Sequence, residues 1–307
     1  MVKKTTFLIL FIFALVPPTA LSAPHSEAGK AGLAFLKMGI GARAVGMGEA
    51  FVSMADDATA LYWNPAGICQ LQGGHLTLMH AEWFQDVRLE YLGAALGRES
   101  SAYGFSFTFN TAGEIERRVK ASHQPLGTFS AHDMALSLSY ARKMSPRWNL
   151  GLSLKALYEK IYLDDAWGWA LDLGFLYKPP VEGLAVGGSI LTLGPKMKLR
   201  HENFSLPTIY KLGLNYSPAP FHFKSGNLIL AMDLSKPTDN QPRINWGGEL
   251  RLMDRIALRS GYQLGYDEKG FSSGIGIYQQ RFRLDYAFVP YSSDLGETHR
   301  ISLGIEL

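Results

Sequence analysis

From Leu76 to Leu307 the chain alternates apolar with small or polar residues, in runs of about ten separated by turns, and this period constrains the fold more than any other feature. Tyr103, Phe105, Phe107 and Phe109 alternate with Gly104, Ser106, Thr108 and Asn110. Met134, Leu136, Leu138 and Tyr140 alternate with Ala135, Ser137 and Ser139, and Ile301, Leu303, Ile305 and Leu307 with Ser302, Gly304 and Glu306. A period of two places all apolar side chains of a strand on one face. In a soluble β domain the other face carries charge. Here it carries Gly, Ser, Ala and Asn with scattered ions, which suits the lumen of a membrane barrel whose apolar face meets lipid.

The pattern predicts strands over 75–83, 87–97, 101–112, 130–143, 148–162, 165–178, 183–193, 207–217, 226–235, 242–253, 254–266, 271–280, 281–291 and 298–307. Fourteen is an even number, as bacterial barrels require, and each run reaches the roughly 9–11 residues of a tilted span. With the first strand running outward, the connections 111–129, 194–206, 236–241 and 292–297 fall outside and tight turns such as 144–147 inside; 218–225 is a longer inner connection. Trp83, Phe84, Trp167, Tyr177, Tyr210, Tyr216, Tyr286 and Tyr291 stand near strand ends, where interfacial girdles form. The expected fold is all-β: a transmembrane antiparallel barrel of about fourteen strands with an N-terminal plug.

The compartment follows from the first residues. Lys3 and Lys4 precede an apolar run, and Pro17, Pro18 and Ala20-Leu21-Ser22-Ala23 follow, the basic, apolar, small order of a secretory leader. Pro24 disfavours cleavage after Ala23, so residues 1–22 are expected to be the signal peptide, 23–74 the plug segment and 75–307 the barrel, in a bacterial outer membrane. A net charge of +3, dispersed along the chain, argues against a nucleic-acid partner and leaves outer-membrane lipid as the expected surroundings. The single cysteine, Cys69, excludes an intramolecular disulfide framework.

The segment before the strands lacks the period. Gly39, Gly41, Gly46 and Gly48 are spaced through an Ala-rich stretch suited to helical turns and close backbone packing, and no βαβ context makes it a phosphate loop. Placed ahead of a barrel wider than the eight-stranded kind, it can fold into the lumen. The candidate plug residues are Gly41, Arg43, Gly46, Gly48, Asp56, Asp57, Trp63, Asn64, Pro65, Ala66 and Gly67, with Asn64-Pro65 expected to fix a turn at the base of the lumen.

Phe35 to Gly67, followed by the strand ending in His80-Ala81-Glu82-Trp83, resembles the opening of the PorV/PorQ family, within the wider group similar to the long-chain fatty-acid transporter FadL. Asp56, Asp57, Asn64, Pro65 and Ala66 carry the pattern of the wider group. The resemblance implies a fourteen-stranded, plugged outer-membrane barrel. It implies first a partner for secretion-system proteins or secreted cargo, of a type IX-like kind, and alternatively a transporter of hydrophobic small molecules through a gap in the wall.

Catalytic chemistry has no positive signal. His75, His80, His123 and His132 lack the convergent spacing of a zinc site, no G-x-S-x-G elbow occurs, and no cofactor or metal site is expected. Glu249, Arg251, Arg259, Arg281, Arg283, Asp285 and Glu306 occupy alternate positions of late strands and are expected to project into the lumen, as a salt-bridged wall bracing the plug or a polar ligand path.

Overall fold

The computed structural model describes residues 31–121, 123–218, 226–292 and 295–307; the signal-peptide reading lies outside these residues. Fourteen strands close into one antiparallel barrel: β1 (Gly73–Glu82), β2 (Val87–Gly97), β3 (Ser101–Glu116), β4 (Thr128–Lys143), β5 (Trp148–Ile161), β6 (Asp164–Tyr177), β7 (Leu184–Leu193), β10 (Ile209–Tyr216), β11 (Gly226–Pro237), β12 (Arg243–Leu252), β13 (Ile256–Leu264), β14 (Phe271–Gln279), β15 (Phe282–Pro290) and β16 (Glu297–Glu306). β1 pairs with both β2 and β16, with His75 opposite Glu306 and Glu82 opposite His299, so no edge is left open. A separate hairpin, β8 (Met197–Leu199) and β9 (Glu202–Phe204), lies in the connection after β7.

The alternation read from the sequence is inverted relative to a soluble protein. On β4 and β5, Leu136, Leu138, Leu150, Leu152 and Leu154 are exposed, while Ser137, Ser139, Ser153 and Lys155 are buried. The same holds for exposed Leu258, Ile275, Ile277, Leu284 and Ile301 against buried Arg259, Asp285 and Ser302. The apolar side chains therefore form an outward belt, and the polar ones line an interior occupied by residues 31–72. No helix among the described residues is long and apolar enough to cross a membrane.

The core lies between the plug and the wall. Phe51, Leu61, Trp63, Ile40 and Met47 are fully buried, and burying a side chain such as Phe51 or Leu61 contributes about 1.5–3 kcal/mol. The plug is held in short pieces: turns of 3-10 helix at Ala34–Lys37 and Pro65–Gln70 and of α-helix at Ala42–Gly46 and Ala60–Trp63. Helices this short do not stand alone, so their geometry is imposed by the surrounding wall.

Three features depart from the sequence expectation. β3 and β4 continue past the expected 112 and 130 to Glu116 and Thr128, across an irregularity between Ala112 and Ile115, so the outer loop shrinks to 117–127. Glu114 and Glu116 had masked the period there. The connection 194–206 holds the β8–β9 hairpin, whose three-residue strands are too short to show a period. The aromatic girdle expected from the sequence forms only in part. Trp167, Tyr210 and Tyr286 are exposed, but Tyr216 is buried, and Trp83, Phe84 and Tyr291 meet in tilted and edge-on contacts with the Arg300 guanidinium 5.1 Å from the Trp83 ring.

Candidate functional site

The plug backbone approaches the wall where the strands carry glycine. Gly247 of β12 faces Gly261 of β13 across their ladder, and Gly274 lies on the adjacent β14, making a patch without side chains. Met47 and Gly48 lie against Gly247 and Gly261, and a Cβ on Gly46 would stand 3.1 Å from Gly274 Cα. Gly48 also has φ +65°, and a Cβ there would stand 2.6 Å from the Trp246 carbonyl oxygen, so both conformation and space require glycine. Gly48 N–H donates to Ser272 Oγ at 3.0 Å, and Ala42 N–H to Ser302 Oγ at 2.9 Å, tying the same stretch to β14 and β16.

A second seat takes the end of the plug. Pro65 and Ala66 pack on Gly151 of β5, and Asn64 and Pro65 on Gly174 of β6. Asn64, fully buried and extended at φ −163°, donates from Nδ2 to the carbonyls of Val52 and Phe175, both at 2.9 Å, and accepts from Ala66 N–H at 3.1 Å. It thus caps the turn that Pro65 begins while bridging plug and wall. Gly67 packs on Ala55 within the plug, and Gly41, at φ +85°, precedes the Ala42–Gly46 turn. Trp63 donates from Nε1 to the Ile40 carbonyl at 2.9 Å, and Lys211 Nζ lies 4.4 Å from its ring centre.

Between these seats runs a ring of charge. Arg43 Nε meets Glu249 Oε2 at 2.8 Å, Glu249 meets Arg259 Nε at 2.6 Å, and Arg259 Nη1 meets Asp285 Oδ1 at 2.8 Å. Asp285 then meets Arg283 Nε at 2.7 Å, Arg283 Nη2 meets Asp57 Oδ2 at 2.8 Å, and Asp57 lies 3.6 Å from Arg43 Nη1, closing the circuit. Asp56 joins through Arg43 at 2.6 Å and Arg251 through Glu249 at 3.4 Å, while the Tyr278 hydroxyl accepts from Arg251 and Arg259. Four guanidiniums balance four carboxylates. Burial alone would lower the Arg43 pKa, but Asp56 and Glu249 outweigh it and hold the group well above its ordinary value. Burial opposes the charge of Asp57 too, and Arg283 and Arg43 together with Thr59 pull its carboxyl below the usual range.

Of the charges expected in the lumen, Glu249, Arg251, Arg259, Arg283 and Asp285 meet in this network. Arg281 and Glu306 do not. Both are exposed at the rim, Arg281 in the turn between β14 and β15 and Glu306 at the end of β16, because an inward-facing position at a strand end opens to solvent. Arg43, Asp56 and Asp57 supply the plug half of the ring.

Sequence reading missed a second set of contacts towards the outer end. Lys269, in the β13–β14 connection, meets Glu49 of the plug at 2.7 Å, and Lys37 meets Asp239 of the β11–β12 connection at 2.6 Å. Gly32 N–H donates to the Ser205 carbonyl at 3.2 Å. On the wall, Lys155 meets Asp172 at 2.6 Å, and Asp233 Oδ2 accepts the Phe51 and Val52 N–H groups at 2.8 and 2.9 Å. Lys155, Asp172, Lys211 and Asp233 share the inward parity of the small residues on their strands, a signal that could have found them. Lys269 and Asp239 lie in loops, where no parity exists.

At the outer end a cleft of about 790 Å³ is lined by the apolar Tyr262, Leu264, Tyr266, Phe271, Pro290 and Tyr291 together with Gln263, Asp267, Glu268, Lys269 and Ser292. It lies where the wall is interrupted. The β14–β15 ladder ends at Ser273–Phe288, and beyond it only a lone bridge joins Lys269 to Tyr291. Pro290 lacks the N–H that would extend the ladder. Trp63 and its neighbours Phe51 and Leu61 are fully buried within the lumen. Among the described residues no three His, Cys, Asp or Glu side chains converge as a metal site.

Residues 18–160 match the model of UPF0164, an uncharacterised protein family. No curated protein matches the chain. Among solved structures, the CymD monoaromatic hydrocarbon channel superposes with a TM-score of 0.62 at 13% identity, over 90% of this chain and 97% of its own. The toluene transporter TodX of Pseudomonas putida gives 0.61 at 12% identity, over 87% of this chain and 96% of its own. A FadL homologue of Pseudomonas aeruginosa gives 0.52 at 11% identity, over 84% and 96%. At these identities the likeness concerns architecture, and it places the chain's fold, a closed fourteen-stranded barrel with an N-terminal helical region inside, among FadL-like barrels.

Proposed function

We propose that this chain is an outer-membrane channel for hydrophobic small molecules, closed by its own N-terminal segment. The observation that carries the reading is the cleft at the outer end. Its volume falls within the range of small-molecule sites, aromatic and aliphatic side chains share its lining with Gln263, Asp267, Glu268, Lys269 and Ser292, and it sits where the β14–β15 ladder ends. Tyr262 and Phe271, paired across β13 and β14, face outward, so the apolar side of the cleft opens towards the belt. The outward apolar belt supports a membrane location, and the hydrocarbon channels of like fold support the substrate class.

The PorV/PorQ resemblance pointed first to a secretion partner. Neither the cleft nor the solved structures of like fold favour that reading over transport. The protruding β3–β4 hairpin is the feature on which a protein partner would rest.

Uptake of a labelled monoaromatic hydrocarbon or fatty acid, in a double-membraned host lacking its own channel of this kind, tests the proposal. Cells displaying the folded protein should take up the label several-fold faster than vector controls. Equal rates, with a second protein co-purifying through residues 117–127, would replace transport by the partner role.

A further inference from the structure

We propose that Arg142 and Arg98, on the lipid-facing side of the wall at the inner end of the barrel, bind the phosphate of an anionic phospholipid in the inner leaflet. The inner end is the one with the tight turns, 98–100, 144–147 and 178–183, and barrels of this kind keep their short turns on the periplasmic side. Arg142 lies near the end of β4 and shares the outward parity of Leu136, Leu138 and Tyr140, all of them exposed. Its ladder partners are Ser101 of β3 and Leu150 of β5. Among the described residues it is the only charged side chain at an outward position in the inner half of a barrel strand, where Leu96, Leu152, Leu258, Ile277 and Leu284 form the belt.

Aromatic rings fix the height of Arg142 in the bilayer. One rung towards the middle of the wall, Tyr140 packs on Tyr103 with ring centres 5.3 Å apart, and one rung towards the turns Trp148 stacks on Tyr177 at 4.4 Å. Trp and Tyr girdles stand at the level of the lipid headgroups. An arginine between them lays its stem on apolar surface and carries its charge to that level. Arg98 reaches the same place from the β2–β3 turn. Its N–H donates to the Ser101 carbonyl at 2.8 Å, and its guanidinium lies 6.0 Å from the centre of the Tyr103 ring. The two guanidiniums thus flank the Tyr103–Tyr140 pair.

Neither guanidinium has a counter-ion. Among the described residues no carboxylate is ion-paired with Arg98 or Arg142, nor with Lys143, Arg147 or Lys178 beside them. By contrast His80 and Glu90, outward at the other end of the wall, meet each other at 2.6 Å. Glu99 and Glu182 are the carboxylates on these inner turns, against five cations, so the rim is net positive. A guanidinium that faces lipid without a carboxylate is completed by an anion from the bilayer itself. A phosphate offers two oxygens to the planar fork of arginine, and an anionic phospholipid presents it at the height of the girdle. Its acyl chains would then lie along the belt below Tyr103 and Tyr140. The inference rests on the barrel spanning a membrane and is independent of what the channel carries.

Native mass spectrometry of the folded, delipidated full-length protein in detergent micelles, titrated with phosphatidylglycerol, tests the proposal, with phosphatidylcholine and inorganic phosphate for comparison. Phosphatidylglycerol should bind several-fold more tightly than phosphatidylcholine, whose choline offsets the phosphate charge. Arg98→Gln/Arg142→Gln should bring the two lipids level, and Arg142→Lys, which keeps the charge but not the fork, should retain part of the difference. Lys160→Gln, at an outward position of the outer end, should leave it unchanged. All three positions are exposed, and the heat-induced gel shift shows that each variant still forms the barrel. Equal binding of the two lipids by the parent overturns the site. So does a difference undiminished in the double variant, one lost equally in Lys160→Gln, or displacement of the lipid by inorganic phosphate at the same concentration. Failure of the parent to insert into phosphatidylglycerol vesicles would overturn the membrane reading on which the site rests, a result distinct from loss of lipid preference in a chain that inserts.

Discussion

Arg43 is the residue on which the plug's attachment turns, because it meets Asp56, Asp57 and Glu249 at once. Arg43→Ala removes the bond from Glu249 to the plug but leaves the fully buried Glu249 with Arg259 and Arg251, so it should cost less than the about 3–5 kcal/mol of a buried charge left unpaired. The loss should appear as faster hydrogen exchange in residues 41–69, while exchange in the strands is unchanged. Asn64→Ala removes three hydrogen bonds, two of them from one Nδ2 to buried carbonyls, at about 1–3 kcal/mol for each group left unpaired. Glu49 and Asp57 give the attachment a pH dependence. Burial opposes both charges, but Lys269 and Lys211 for Glu49, and Arg283 and Arg43 for Asp57, hold their folded pKa values below the ordinary 4.5 and 3.8. Depressed carboxylates stabilise above the unfolded pKa and lose that contribution as pH falls through the folded one. Plug protection should therefore be constant from about pH 8 to 5 and decline below about pH 4. Protection that rises on acidification would contradict the assignment.

At the scale of elements, strands and plug were legible in the sequence to different degrees. The period of two located all fourteen barrel strands because each has one face against the apolar belt and one against the interior, and nothing else in the chain produces that pattern. The glycines of the plug announced close packing, but not its partners: Gly247, Gly261 and Gly274 are separated from Gly46 and Gly48 by some two hundred residues, and their meeting is a property of closure. The charge ring was half legible. Parity placed Glu249, Arg259, Arg283 and Asp285 inward, whereas their pairing with Arg43 and Asp57 depended on how the plug folds back. Gly261→Val should unseat the plug at Met47 and Gly48 without disturbing the outer face of β13, which the heat-induced gel shift of an intact barrel would show. Shortening 117–127 should leave that shift unchanged too, since the loop lies beyond the last pairs of β3 and β4.

The whole molecule combines a barrel with an apolar exterior and a lumen occupied by residues 31–72 of the same chain. That segment is held at three levels: glycine seats and Asn64, a neutral ring of charges, and the outer ties Lys37–Asp239 and Lys269–Glu49. The plug half of the ring, Arg43 with Asp56 and Asp57, carries one net negative charge and the wall half one net positive, so the ring is neutral only when the two halves meet. The outer ties lie beside the cleft, so a molecule lodging among Tyr262, Tyr266 and Tyr291 would press on Lys269 and its bond to Glu49. Closure by the plug is the claim on which the rest depends, and conductance across a planar lipid bilayer reads it directly. The parent protein should insert and remain nearly non-conducting, while Arg43→Ala combined with Gly261→Val should give discrete, larger and noisier openings. A parent that conducts steadily like an open pore, with the variant indistinguishable from it, would contradict the account.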